Sequence, residues 1–521
     1  MGRSHKSIRR KMNNITKTTL GATFGVAVAI YVQISFGGVA NSGFLVMAAI
    51  FGAYMAMNIG ANDVANNVGP AVGSKALTIG GAIIIASIFE AAGALIAGGD
   101  VVNTIKKGII DPTAFLGDPM IFVYAMSAAL LSAALWLTFA TYFKAPVSTT
   151  HSIVGGVMGA GIAAAGFAVV SWGTLGKIVA SWIISPVLGG IIAAGFLYII
   201  KSEILYKDDR LKAAKGVVPI LVAVMSTAFI TYLTIKGLKH IWGSITDFLS
   251  FLPQTSKPTF GIALSFGLIG GIITYTILRP RISQRVTQLS DNREDINRLF
   301  TIPLIFAAAL LSFAHGANDV ANAIGPLAAI YDAIINTQVS TKATIPLWVM
   351  VVGGVGISVG LALFGPRLIK TVGSEITELD QMRAFSIMMA AAITVVIASQ
   401  LGLPVSSTHI ALGGVFGVGF LREWLERNDM NEQRLQIKAH IKQLHKLHDK
   451  LHATTSNKKR LQLQDQIAKE KSKLKAVKRE LKESYVKRGM VGKIIAAWII
   501  TVPVAAVLSA MVFFMLKTLG V

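Results

Sequence analysis

Two carboxylates stand in otherwise apolar sequence, each inside the same seven residues. Gly60-Ala61-Asn62-Asp63-Val64-Ala65-Asn66 recurs as Gly316-Ala317-Asn318-Asp319-Val320-Ala321-Asn322, and Gly69-Pro70 recurs as Gly325-Pro326. A carboxylate at bilayer depth costs at least ~2.5 kcal/mol, so Asp63 and Asp319 each require a cation, a cavity or a partner. Asn and Asp also cap helices well. Capping accounts for one Asp at a helix break. It does not account for Asn62, Asp63 and Asn66 returning together as Asn318, Asp319 and Asn322. Charged and amide oxygens beside backbone carbonyls freed at a break suit a hard cation of the Na⁺ kind. Gly60 and Gly316, each just ahead of an Asn-Asp pair, mark the expected breaks.

A second motif is also doubled. Pro146-Val147-Ser148-Thr149-Thr150-His151 recurs as Pro404-Val405-Ser406-Ser407-Thr408-His409. Each Ser/Thr run follows a proline and can open a half-helix. A helix N-terminus offers free N–H groups and partial positive charge, which suits an anion. Ser148, Thr149, Thr150, Ser406, Ser407 and Thr408 add hydroxyl donors; a plain capping box is the simpler account. Two such N-termini aimed at one point from opposite sides would suit a tetrahedral oxyanion. Neither motif holds Lys or Arg, and hydroxyls and amides allow the release that transport needs. The carboxylates would repel an anion unless cations lay between them, which couples the two ions. His151 and His409 close the motifs. They can carry protons, but bonding to backbone at the helix break is the expected role. Glu90 lies in the apolar run 79–98 and is a further candidate cation ligand. Matching Gly93 to Gly360 places its counterpart near Ile357, which carries no charge.

The elements that position these groups must cross a membrane. The chain has 521 residues, 53% hydrophobic and 14% charged, with mean hydropathy +0.62. Soluble domains average about 25% charged residues, and apolar stretches of about 20 residues mark spans. A disordered or nucleic-acid-binding soluble protein is excluded. Cysteine is absent, which removes disulfide and thiolate chemistry. Net charge is +23, yet residues 1–17 hold six basic and no acidic residues, and 422–490 hold 19 basic and 9 acidic. Positive segments mark the cytoplasmic side. By that rule copy one starts outside and copy two inside, so the copies are inverted, as in many secondary transporters.

The expected fold is an all-α polytopic membrane protein of roughly 11–13 spans with broken or re-entrant helices, in six stretches. Residues 1–42 are a basic cytoplasmic tail and first transmembrane helix, and 43–201 the first repeat. A linking helix pair with cytoplasmic loops fills 202–299. Repeat two begins at 300–422, is interrupted by a basic cytoplasmic helical hairpin over 423–490, and ends in a last helix over 491–521 with the C-terminus outside. In the hairpin, apolar residues keep three-four spacing, Glu470 interrupts it once, and Thr454-Thr455-Ser456-Asn457 reads as a turn. His440, His445, His448 and His452 there read as a solvated face without an acidic partner. Gly155/Gly159 and Gly413/Gly417 read as close helix packing.

The paired motifs closely resemble the inorganic phosphate transporter (PiT) family over all but the first ~40 residues and the 423–490 insertion. The resemblance implies an inverted-repeat fold of about twelve spans in the cell membrane, commonly a homodimer. It implies cation-coupled uptake of inorganic phosphate with no enzymatic step and no cofactor. Asp63 and Asp319 look like the family's two essential aspartates, and the Ser/Thr runs like its phosphate-contacting segments. The Glu90 helix looks like that of sodium-coupled members. The large insertion, unlike that of animal members, falls inside copy two. The expected function is therefore Na⁺-driven phosphate import. The alternatives are proton-coupled transport of phosphate or metal phosphate, or a sulfate or other oxyanion permease. An intramembrane hydrolase using Ser148 and His151 fits poorly, because an enzyme has little use for two inverted copies.

Overall fold

Long apolar runs leave backbone N–H and C=O groups no water to pair with, so they pair within helices. The structure, a computed structural model, describes residues 14–143, 147–239, 241–249, 252–337, 345–375, 379–425, 427–453, 457–482 and 488–519, and no β-strand occurs among them. Helix α1 (Asn14–Phe36) precedes copy one, which holds α2 (Ser42–Asn62), α3 (Val64–Gly73), α4 (Ile79–Ala97), α5 (Gly99–Lys107), α6 (Pro119–Tyr142), α7 (Thr149–Ala165) and α8 (Trp172–Ile200). The link is α9 (Arg210–Gly237), α10 (Trp242–Phe248), α11 (Phe260–Val286) and α12 (Arg293–Arg298). Copy two holds α13 (Thr301–Ile335), α14 (Leu347–Glu375), α15 (Gln381–Gln400) and α16 (Ser407–Leu425), then α17 (Arg427–Ala453), α18 (Asn457–Lys482) and α19 (Arg488–Thr518). Eleven helical segments among the described residues are long and apolar enough to cross a membrane.

The two copies are interlocked. A Cβ on Gly60 of α2 would run into the carbonyl of Ile357 on α14, and one on Gly316 of α13 into that of Glu90 on α4. Gly360 meets Met57, and Gly93 meets Phe313, in the same way. Gly155 and Gly159 of α7 abut Val502 and Ala506 of α19, while Gly413 and Gly417 of α16 abut Pro186 and Gly190 of α8. Each of these glycine contacts thus has its reciprocal, as a two-fold relation between repeats requires. Backbone can approach backbone this closely only where side chains are missing. The match of Glu90 to Ile357 holds, since equivalent glycines press on them.

Gly316 does not break its helix: α13 runs unbroken for 35 residues through Gly316 and Asp319. In copy one the interruption falls at Asp63, three residues past Gly60, and Asp63 itself keeps helical angles (φ −84, ψ −36). Both glycines serve close approach instead. Carbonyls without a helical donor arise from Pro70 and Pro326, which sit inside α3 and α13. Proline has no N–H to give to the carbonyl four residues back, here Asn66 and Asn322. The real breaks lie before α7 and α16. Residues 401–406, including Pro404, are non-helical; Pro146 lies outside the described residues. Helix α7 has 17 residues, about 25 Å at 1.5 Å per residue.

Helices α17 and α18 pack as a hairpin, with Leu444 and Ile467 buried between them. The turn at 454–456 lies outside the described residues. His440 is not solvated without a partner: its Nδ1 lies 2.6 Å from Glu470 Oε1 across the hairpin. Both occupy seam positions, which is why Glu470 interrupts the apolar spacing. Ionic pairs in such seams can set register.

Candidate functional site

Helix α13 carries His315, Asn318, Asp319 and Asn322 at offsets of three, four and seven, hence on one face. Opposite stand Asn62, Asp63, Asn66 and Asn67 at the junction of α2 and α3. Helices α7 and α16 bring their first turns to the same place. Ser148 caps α7, its Oγ accepting from His151 N at 3.2 Å. Ser406 does likewise for α16, accepting from His409 N at 3.4 Å. The capping oxygens accept backbone N–H groups, which leaves their O–H groups able to donate, and Thr149, Thr150, Ser407 and Thr408 lie further along the first turns.

Thr149 Oγ1 donates to Asp63 Oδ2 at 2.6 Å and lies 3.4 Å from Asp319 Oδ2. One hydroxyl therefore reaches the carboxylates of both copies. Thr408 Oγ1 donates to Asp63 Oδ1 at 3.3 Å. Asn66 Nδ2 donates to Thr408 Oγ1 at 2.8 Å, and Asn322 Nδ2 to Thr150 Oγ1 at 3.1 Å. Those two contacts are counterparts, each amide crossing into the other copy. All these side chains except that of Asn66 are buried. Asp319 Oδ1, Asn322 Oδ1, Asn62 Nδ2 and Ser407 Oγ are buried with no hydrogen-bond partner. An unpaired buried polar group costs about 1–3 kcal/mol. Orphan acceptors on Asp319 and Asn322 fit a cation, and orphan donors on Asn62 and Ser407 fit an anion.

Sequence reasoning missed His315 and Asn67. His315 Nδ1 lies 2.7 Å from Glu90 Oε2, and its Nε2 lies 3.2 Å from Asp319 Oδ2. Asn67 Nδ2 donates to Glu90 Oε1 at 3.0 Å. Glu90 thus faces His315 and Asn67 and reaches Asp319 through the imidazole. Asp63, His315 and Asp319 each offer one ligand atom, all within 4.8 Å of one another. A signal existed: the other copy has Ile59 for His315, Ala323 for Asn67 and Ile357 for Glu90. The three polar residues without a counterpart meet one another. His151 departs from expectation too: its ring bonds a side chain, Ser148 Oγ at 2.8 Å, and stacks on Trp182 at 3.7 Å. Trp182 in turn donates Nε1–H to the Pro404 carbonyl at 3.0 Å.

The two copies differ at the asparagine beside the break. Asn318 Nδ2 donates to Ser399 Oγ at 3.0 Å and to Leu403 O at 3.1 Å, and its Oδ1 accepts from Val405 N at 3.2 Å. Their equivalents are Asn62 and Thr141, yet Asn62 Nδ2 and Thr141 Oγ1 are both buried without a partner. A cavity of about 670 Å³ lies on that side, lined in part by Tyr54, Asn58, Ala61, Thr138 and Thr141.

Interlocked repeats whose half-helices converge on buried carboxylates define a multi-pass membrane transporter. The Phosphate transporter family matches residues 59–509, and the chain belongs to that family. A Helicobacter pylori protein (strain ATCC 700392 / 26695) named "Putative phosphate permease" is 48% identical over 98% of this chain and 96% of its own length. One of the same name from Chlamydia trachomatis is 39% identical over 73% of this chain and 90% of its own. A solved structure titled "The sodium-dependent phosphate transporter" superposes with TM-score 0.72 at 30% identity, covering 91% of this chain and 99% of that one.

Proposed function

We propose that the protein is a secondary active symporter that imports inorganic phosphate with Na⁺. The observation that carries this reading is the meeting of Asp63 and Asp319 at one hydroxyl, between two helix N-termini. Na⁺ takes oxygens of Asp63, Asp319, Asn322 and their neighbouring amides. Glu90 acts on Asp319 through His315. Phosphate then enters against the first turns of α7 and α16, where N–H groups and the hydroxyls of Thr149, Thr150, Ser407 and Thr408 face it. Without the cation the carboxylates repel it. The likeness to the solved structure titled "The sodium-dependent phosphate transporter" supports sodium. The N-terminus and residues 423–490 face the cytoplasm in this reading, because their positive charge favours that side, and the protein works as a homodimer.

The test is phosphate binding and uptake in proteoliposomes, with Na⁺ replaced by choline at fixed pH. Phosphate affinity should rise with Na⁺, and Na⁺ affinity with phosphate by the same factor. Arsenate, which keeps an O–H donor for a carboxylate, should compete far better than sulfate, which lacks one. A site built around such a bond can reject the analogue lacking it by ~10⁴-fold. A proton-coupled reading rests on the line Glu90–His315–Asp319. Undiminished binding in choline, with uptake driven by a pH gradient alone, would establish it and reject sodium.

The difference between Asn318, which bonds Ser399, and Asn62, which has no partner at Thr141, supports alternating access. In the other state Asn62 pins the break before α7 through Thr141, and Asn318 lets go of Ser399. Thr141→Val should slow transport several-fold while leaving Na⁺-dependent phosphate binding within about twofold, since it removes a hydrogen bond worth roughly 1 kcal/mol from one state alone. Wild-type turnover in Thr141→Val would show that the two sides do not exchange this contact.

A further inference from the structure

We infer that the groove between α11 and α13 is a binding site for one anionic phospholipid, with its headgroup phosphate on Arg281 and Arg285. A cavity of about 410 Å³ there is lined by Ile277, Leu278, Ile302, Pro303 and Phe306 as well as by both arginines. A second cavity of about 520 Å³ shares Arg281 and Arg285 and continues over Gln284, Gln288 and Arg298. The first is apolar and the second polar, and they meet at the two guanidinium groups. That is the layout of an acyl chain joined to a charged head.

Spacing supports the assignment. Arg281 and Arg285 are four apart on α11, hence on one face, and Gln284 and Gln288 flank them. They follow the apolar part of the helix by about one and two turns, where a span enters the headgroup layer. Arg279 lies 5.8 Å from the centre of the Tyr275 ring, an aromatic and basic pair of the kind found at that boundary. Ile277, Ile302 and Phe306 are exposed, so a chain could enter from the bilayer. Arg298 is already held by Glu294 at 2.8 Å and Asp295 at 3.3 Å. Arg281 and Arg285 have no acidic partner among the described residues. Two exposed guanidinium forks above an apolar slot match a phosphodiester with an acyl chain. Basic pockets between helices bind such heads, at roughly 5-fold per arginine. Free phosphate would satisfy the arginines but leave the slot without an occupant.

The test uses the full-length protein in detergent, titrated with phosphatidylglycerol or phosphatidylcholine and read by native mass spectrometry. One phosphatidylglycerol should bind about 25-fold more tightly than phosphatidylcholine. Arg281→Gln with Arg285→Gln should abolish the preference while leaving Na⁺-dependent phosphate binding unchanged. Glycerophosphoglycerol, with the head and no acyl chain, should not compete. Equal retention of the two lipids, or an unchanged preference in the double variant, would overturn the site. Displacement of the lipid by millimolar inorganic phosphate, lost in the double variant, would instead assign the arginines to free phosphate.

Discussion

Asp63→Asn and Asp319→Asn are each expected to abolish Na⁺-driven phosphate uptake without unfolding the protein. Asn keeps the shape and one acceptor oxygen, so at position 63 one of the two hydroxyls keeps its acceptor and the other can turn to accept from the amide N–H. What is lost is the charge that, in the proposed mechanism, holds a desolvated cation. Removing one member of a buried ionic pair costs about 3–5 kcal/mol, so Na⁺ affinity should fall at least roughly 100-fold. The two variants should differ in detail. Asp63 already accepts from two hydroxyls, whereas Asp319 Oδ1 is without a partner and is the freer ligand. Asp319→Asn should therefore also blunt discrimination against sulfate. Uptake in proteoliposomes, beside size-exclusion profile and thermal melting, checks both. Normal transport by either variant would mean that its carboxylate only caps a helix.

Gly60→Ala and Gly316→Ala should be nearly as damaging, for a different reason. Each new methyl group collides with a backbone carbonyl, that of Ile357 or of Glu90. A side chain could rotate away; a helix backbone cannot. Overpacking costs about 1–3 kcal/mol, occasionally more, and here the relief is to push α2 from α14 or α13 from α4. Gly316 lies one turn before Asp319, and its obstacle is the backbone of Glu90. The strain therefore falls on the line through His315. Phosphate affinity should drop at least tenfold and melting temperature should fall. Gly43→Ala is the control, since nothing lies within 4 Å of its Cβ position. Wild-type affinity in Gly316→Ala would show that the helices are not held at this separation.

Much of the site could be read in one dimension. Asp63, Asp319 and the two Ser/Thr runs announce themselves because the motifs occur twice and sit where polar residues are costly. His315 and Asn67 did not, since one polar residue beside a motif gives no spacing to read. The expected break at Gly316 failed for a related reason. A glycine before a polar pair looks the same whether it bends a helix or admits a neighbour, and only the carbonyl of Glu90 distinguishes them. His440 needed its partner on a second helix before its seam position made sense.

The sequence by itself determined the membrane class, the doubled unit and the two carboxylates that meet at its centre. Hydropathy over about 20 residues and exact repetition are properties of the chain, independent of what it packs against. Only the tertiary structure decided that the copies interlock, α2 with α14 and α13 with α4. It also decided that Glu90, His315 and Asn67 find one another, and that the Asn318 amide bonds Ser399 and Leu403 while Asn62 Nδ2 is buried without a partner. Those outcomes depend on which surfaces meet. Two copies of one pattern can pack within themselves or across each other with the same apolar faces buried. The choice between a bonded and an unbonded asparagine amide is a difference of one or two hydrogen bonds, far below what periodicity can report.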